Sequence, residues 1–143
     1  MRILIDTCVI IDALQSREPF SQNAQDIFLL AANRRIDAFI TAKSVTDIYY
    51  LMHRVTHSDK DTRNVLSRLF VLFGLADTVG TDCRYALSSE VSDYEDAVMI
   101  ETAVRTQMDA IVTRNTKDYS KSAVTVLTPE ELIQKISEET EEE

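Results

Sequence analysis

Five short runs rich in β-branched and apolar residues recur along the chain, and a helix-patterned stretch separates most of them. The runs are ILI (3–5), DAFIT (37–41), ADTVG (76–80), AIVT (110–113) and VTVL (124–127). Parallel strands need a crossover connection, usually a helix, whereas antiparallel neighbours need no more than a tight turn. The pattern predicts a three-layer α/β/α fold around a central, mainly parallel five-stranded sheet.

The helical stretches carry their own signals. SQNAQDIFLLAANRR (21–35) places Ala24, Ile27, Phe28 and Ala31 on one face. KSVTDIYYLMHRV (43–55) does the same with Val45, Ile48, Tyr49 and Met52. Residues 59–74 read as a helix that Gly74 terminates, and 92–108 as one opened by a capping box from Ser92 to Glu95. The last helix starts with Thr128 as cap and Pro129 as first residue. Residues 9–14 and 81–90 complete the set. With 143 residues, the chain reads as one domain over 1–137, followed by an acidic tail at 138–143 that frays.

Composition removes several function classes. No apolar run approaches the ~20 residues that span a bilayer. The N-terminus lacks the pattern of a signal peptide, so the expected location is the cytoplasm. Cys8 and Cys83 are too far apart in sequence for a metal-type pair. His53 and His57 are spaced i, i+4, but they fall where their helix runs out, and no zinc-helix glutamate accompanies them. The net charge is −9. Residues 128–143 hold seven Glu and one Lys, so the rest of the chain is only mildly acidic. Charge therefore neither favours nor excludes a polyanionic substrate. With only two glycines in the chain, Gly74 and Gly80, no glycine-rich phosphate loop follows any strand.

Carboxylates stand where such a loop would be. In open parallel sheets, ligands bind beyond the carboxyl ends of the strands. Asp6 follows the first strand, and Thr113-Arg114-Asn115 with Asp118 follows the fourth. Asp96 falls on the core stripe of its helix, where an unpaired charge is costly. Asp47 borders the apolar face of another helix. Asp93 suits the start of the 92–108 helix, and Asp12 reads as an ordinary exposed helix acid. Converging acids repel by roughly 4 kcal/mol per pair at 4 Å and an effective dielectric near 20. Oxygen-only ligands call for a hard cation, Mg²⁺ or Mn²⁺.

The order and spacing of ILIDTCVIIDAL, Asp47, DAVMIETA and VTRNTKDY resemble the PIN-domain ribonucleases, including the VapC-like toxins of toxin–antitoxin pairs. The resemblance covers nearly the whole chain and implies a metal-dependent endoribonuclease. Asp6, Asp47, Asp96 and Asp118 would be its catalytic acids and would hold one or two Mg²⁺ or Mn²⁺. Thr113 and Asn115 would support those ligands from behind, and Arg114 or Lys117 would hold a phosphate. The implied partners are an RNA substrate, a protein antitoxin and a second copy in a homodimer. Two positions depart from the family pattern: Cys8 replaces the usual Asn, and Asp47 the usual Glu. They leave room for an alternative, a catalytically inactive PIN-fold module that binds RNA or protein.

Overall fold

A computed structural model describes all of residues 1–143. The chain runs β1 (Arg2–Ile5), α1 (Thr7–Leu14), α2 (Ser21–Ala32), β2 (Asp37–Thr41), α3 (Ser44–Thr56), α4 (Asp59–Leu72), β3 (Gly74–Ala76) and α5 (Gly80–Ala86). It continues with α6 (Tyr94–Arg105), β4 (Ala110–Val112), a 3-10 turn (Thr116–Tyr119), β5 (Thr125–Leu127) and α7 (Pro129–Glu142). The five strands form one parallel sheet in the order β3-β2-β1-β4-β5. The expected fold class is the one observed. No helix is long and apolar enough to cross a membrane.

Strand alternation divides the core between the two faces. Ile3, Ile5, Ala38, Ile40, Ala110 and Val112 point to one side, where α1, α2, α3, α4 and α7 cover them. Leu4 and Ile111 point to the other, against Ala97, Val98, Ile100 and Ala103 of α6 and Ala86 of α5. Burial on both faces explains why β1 and β4 carry no polar side chain except Arg2 at the strand's edge.

The structure corrects several local expectations. The third strand is Gly74–Ala76, not 76–80. Gly74 does not cap α4; Phe73 ends that helix in extended conformation, and Gly74 starts the strand directly. Gly74 pairs with Phe39 of β2, whose ring fills the space a side chain would need: a Cβ there would lie 2.6 Å from Phe39 Cδ1. The cap of α6 is Asp93, whose carboxylate accepts from the Asp96 amide at 3.0 Å, so the Ser92–Glu95 box does not form. Helix α7 begins as expected, with Thr128 and Glu131 capping each other's amides. It then runs through Glu142, across most of the segment expected to fray.

With glycine absent from their ends, α1, α2, α3 and α6 are followed by left-handed residues of other types, Ser16, Arg34, His57 and Gln107. His57 thus ends α3 in the left-handed conformation, while His53 stacks on Tyr49.

Candidate active site

The sheet order reverses between β1 and β4, so the crevice beyond their carboxyl ends is the topological switch point of this fold. Asp6 is the first residue past β1, and its amide still donates to Val112 O at 2.9 Å. Thr113 is the first residue past β4, and its amide donates to Leu127 O at 3.0 Å. The ladder thus fixes both backbones. Their side chains then meet across the crevice: Thr113 Oγ1 donates to Asp6 Oδ2 at 2.8 Å. Thr113 is fully buried. The Asn115 amide donates to Thr113 Oγ1 at 3.2 Å, so Asn115 acts through its backbone.

Asp6 stands at the N-cap position of α1 but makes no capping hydrogen bond. Its carboxylate points into the crevice instead. The Cys8 thiol, 3.6 Å from Asp6 Oδ2 and 3.8 Å from Thr113 Oγ1, offers a weak donor. Burial, then the Asp6 charge, push the thiol pKa up, which keeps that donor protonated.

Asp96 arrives from the opposite layer, in the first turn of α6. Tyr119, buried at the end of the 3-10 turn, donates its hydroxyl to Asp96 Oδ1 at 2.9 Å. Burial, with the charges of Asp6 and Asp96, raises the Tyr119 pKa and holds the hydroxyl as a donor. Asp6 and Asp96 share a small cavity of about 20 Å³ with Glu95, Lys43, Thr41 and Ser44. That is room for one water or one ion.

The electrostatics of the two acids agree. Burial raises the Asp6 carboxyl above its ordinary value against the hydrogen bonds of Thr113, Thr7 and Cys8, and the Glu95 charge adds to the rise. Asp96 is pushed up to about 6, first by burial and then by the charges of Asp93, Asp6 and Asp118, against the Tyr119 bond. These are acids held together without a compensating charge.

The four acids expected to share a metal do not stand equally. Asp6 and Asp96 converge. Asp118 is exposed on the 3-10 turn, near enough for its charge to act on Asp96. Asp47 is exposed on α3 and does not line the cavity. No three acid, His or Cys side chains gather closely enough to hold one cation by themselves. The donor set still suits magnesium, which commonly takes one or two carboxylates and keeps several waters.

Arg114 and Lys117 also differ from expectation. Arg114 is committed to Asp12, with Nε 2.6 Å from Oδ2 and Nη2 3.2 Å from Oδ1, and its guanidinium lies 4.2 Å from the Phe20 ring centroid. Asp12 is buried in that pair, not exposed as a lone helix acid would be. Lys117 is exposed on the 3-10 turn. Sequence reasoning missed Glu95, Lys43 and Tyr119. Glu95 and Tyr119 each adjoin an acid singled out for the site, which was the available signal. Lys43 carried none.

Comparison with known proteins agrees with this architecture. The model of the PIN domain matches residues 2–117. No curated protein sequence matches significantly. Among solved structures, a toxin–antitoxin complex from Klebsiella pneumoniae superposes with a TM-score of 0.63 at 24% identity, over 89% of this chain and 97% of that one. FitAcB from Neisseria gonorrhoeae gives 0.62 at 22%, over 89% and 97%. VapBC2 from Rickettsia felis, bound to a DNA fragment from its promoter, gives 0.62 at 14%, over 90% and 98%. The alternating sheet, its acid-lined switch point and the family match over most of the chain lead to one conclusion: this chain belongs to the PIN-domain family.

Proposed function

We propose that the chain is a metal-dependent endoribonuclease and the toxin of a toxin–antitoxin pair. The observation that carries this reading is the approach of Asp6 and Asp96 at the switch point, both with raised pKa, around a cavity the size of an ion. Clustered carboxylates weaken a fold unless a cation is meant to join them. Asp6 and Asp96 would hold Mg²⁺ or Mn²⁺, and the nearby charge of Asp118 would add to the attraction for the ion. Bound there, the metal would lower the pKa of a water and offset charge on a phosphodiester. The protein's own part is orientation. Thr113 and Cys8 fix Asp6, and Tyr119 fixes Asp96, so that each keeps a free oxygen for the ion.

The similar structure from Klebsiella pneumoniae, a toxin–antitoxin complex, supports a protein antitoxin as partner. A homodimer and a cytoplasmic location belong to the same proposal, since cellular RNA is the substrate class. The exposed position of Asp47 favours one second reading, an inactive PIN-fold module that binds RNA or protein.

Incubating wild type and Asp96→Asn with small RNA and Mg²⁺, Mn²⁺ or EDTA separates the two. Cleavage that needs metal and is lost in Asp96→Asn is the expected result. Folded wild type that binds metal but cuts no RNA would favour the inactive module. Failure to bind either ion would overturn the site assignment. Coexpression with the product of a neighbouring small gene tests the antitoxin.

A further inference from the structure

An RNA phosphate approaching the mouth of this cavity meets the charges of Asp6, Glu95 and Asp96. Something must offset that charge besides the metal, and the lining offers a single cationic side chain, Lys43. Arg114 is not available, because Asp12 holds its guanidinium at two points. Lys43 Nζ rests 3.4 Å from Glu95 Oε1, a single contact between partly exposed side chains that bridges the start of α3 to the start of α6. Exposed pairs of this kind contribute little to stability, so a phosphate can displace Glu95 at little cost. Thr41 and Ser44 line the same cavity beside Lys43; their hydroxyls bond each other at 2.5 Å, which leaves one O–H an anion can use.

We infer that Lys43 is the phosphate-gripping residue of this site and that Glu95 occupies it until substrate arrives, an inference that rests on the RNA-cleaving reading above. The pair would thus act as a competitive latch at the mouth of the cleft. Glu95 would set the threshold a polyanion must exceed to enter.

The latch makes a prediction of opposite sign for its two members. A purely structural bridge would be broken equally by removing either partner. The measurement is fluorescence anisotropy with a labelled single-stranded RNA oligonucleotide of mixed sequence, in an Asp96→Asn background that binds without cutting. Lys43→Met is expected to weaken binding about tenfold and to lower the slope of log affinity against log salt by about 0.7, the share of one single-strand phosphate. Lys43→Arg should restore both. Glu95→Gln should tighten binding about threefold, because it frees Lys43 and removes a repelling charge. Lys60→Met, an exposed cation in the first turn of α4, serves as the control and should change little.

Measurable RNA binding with Lys43→Met and Glu95→Gln shifting it in the same direction would overturn the latch and leave the nuclease reading intact. A Lys43→Met effect no larger than that of Lys60→Met would do the same. Absence of RNA binding by every folded variant, and by folded wild type with Mg²⁺ present, would instead overturn the nuclease reading, and the latch with it.

Discussion

Asp96→Asn should make the metal-free protein more stable at neutral pH while removing its proposed activity. The substitution keeps the shape and keeps an oxygen to accept the Tyr119 hydroxyl, but deletes a charge that burial and three neighbouring acids oppose. The Asp96 pKa rises from 3.8 to about 6 in the folded protein. At about 1.4 kcal/mol per unit, that shift corresponds to at most about 3 kcal/mol, and solvent screening at a half-buried position reduces it to about 1–2 kcal/mol. The sign follows from linkage. A carboxyl whose folded pKa lies above its unfolded one binds its proton more tightly in the folded state. Its contribution is therefore fully favourable below about pH 4 and is lost as pH rises through about 6. Urea unfolding of the EDTA-treated protein from pH 4 to pH 8 measures this directly. The variant should gain on wild type as pH rises, reaching about 1–2 kcal/mol at pH 7, or roughly 3–6 °C in Tm for a domain of this size. Mg²⁺ should then reverse the order, because a ligand at a hundred times its Kd adds about 2.7 kcal/mol to the form that binds it. A variant less stable than wild type at pH 7, or a difference that does not change with pH, would refute the claim that Asp96 is held as an uncompensated charge.

Three further perturbations test the scaffold. Gly74→Ala should cost about 1–3 kcal/mol through overlap with the Phe39 ring, and Phe39→Leu in the same chain should recover much of it in a double-mutant cycle by denaturant unfolding. Asp82 is buried in α5, where burial raises its carboxyl but the Arg105 guanidinium, the Val79 amide and the Thr102 hydroxyl outweigh that and hold it below the ordinary value. Its stabilisation is present above the ordinary carboxyl pKa of 3.8 and is lost as pH falls below it, so Asp82→Asn should flatten the acid limb of a stability–pH curve. Asp12→Ala should cost about 3 kcal/mol by stranding the Arg114 guanidinium beside Phe20; a loss under about 0.5 kcal/mol would show the pair to be dispensable.

The fold was readable because short apolar strand runs are separated by helical patterns along most of the chain, and a parallel sheet leaves few other solutions. Two of the local errors share one cause: contacts distant in sequence override local signals. Gly74 looks like a helix stop until Phe39, brought beside it by β2–β3 pairing, shows why no side chain fits. Asp12 looks like a solvent-facing acid until Arg114, 102 residues later, reaches it from the end of β4. Ser92 and Glu95 look like a capping box, yet Asp93 takes the cap and leaves Glu95 free to meet Lys43.

The site shows the same division. Asp6 and Thr113 could be placed from sequence because each ends a central strand, and register alone brings such ends together. Asp96 was legible as a charge on an apolar stripe. Asp47 shows where this reasoning stops, since a helical stripe gives an acid's bearing but not its distance from a neighbour on another element. Its exposure outside the cavity leaves Asp6 and Asp96 as the pair whose geometry can be tested first. If metal titration gives one ion whose affinity falls in Asp96→Asn but not in Asp47→Asn, the pair suffices to hold it. Equal losses in both variants would require α3 to move inward when the ion binds.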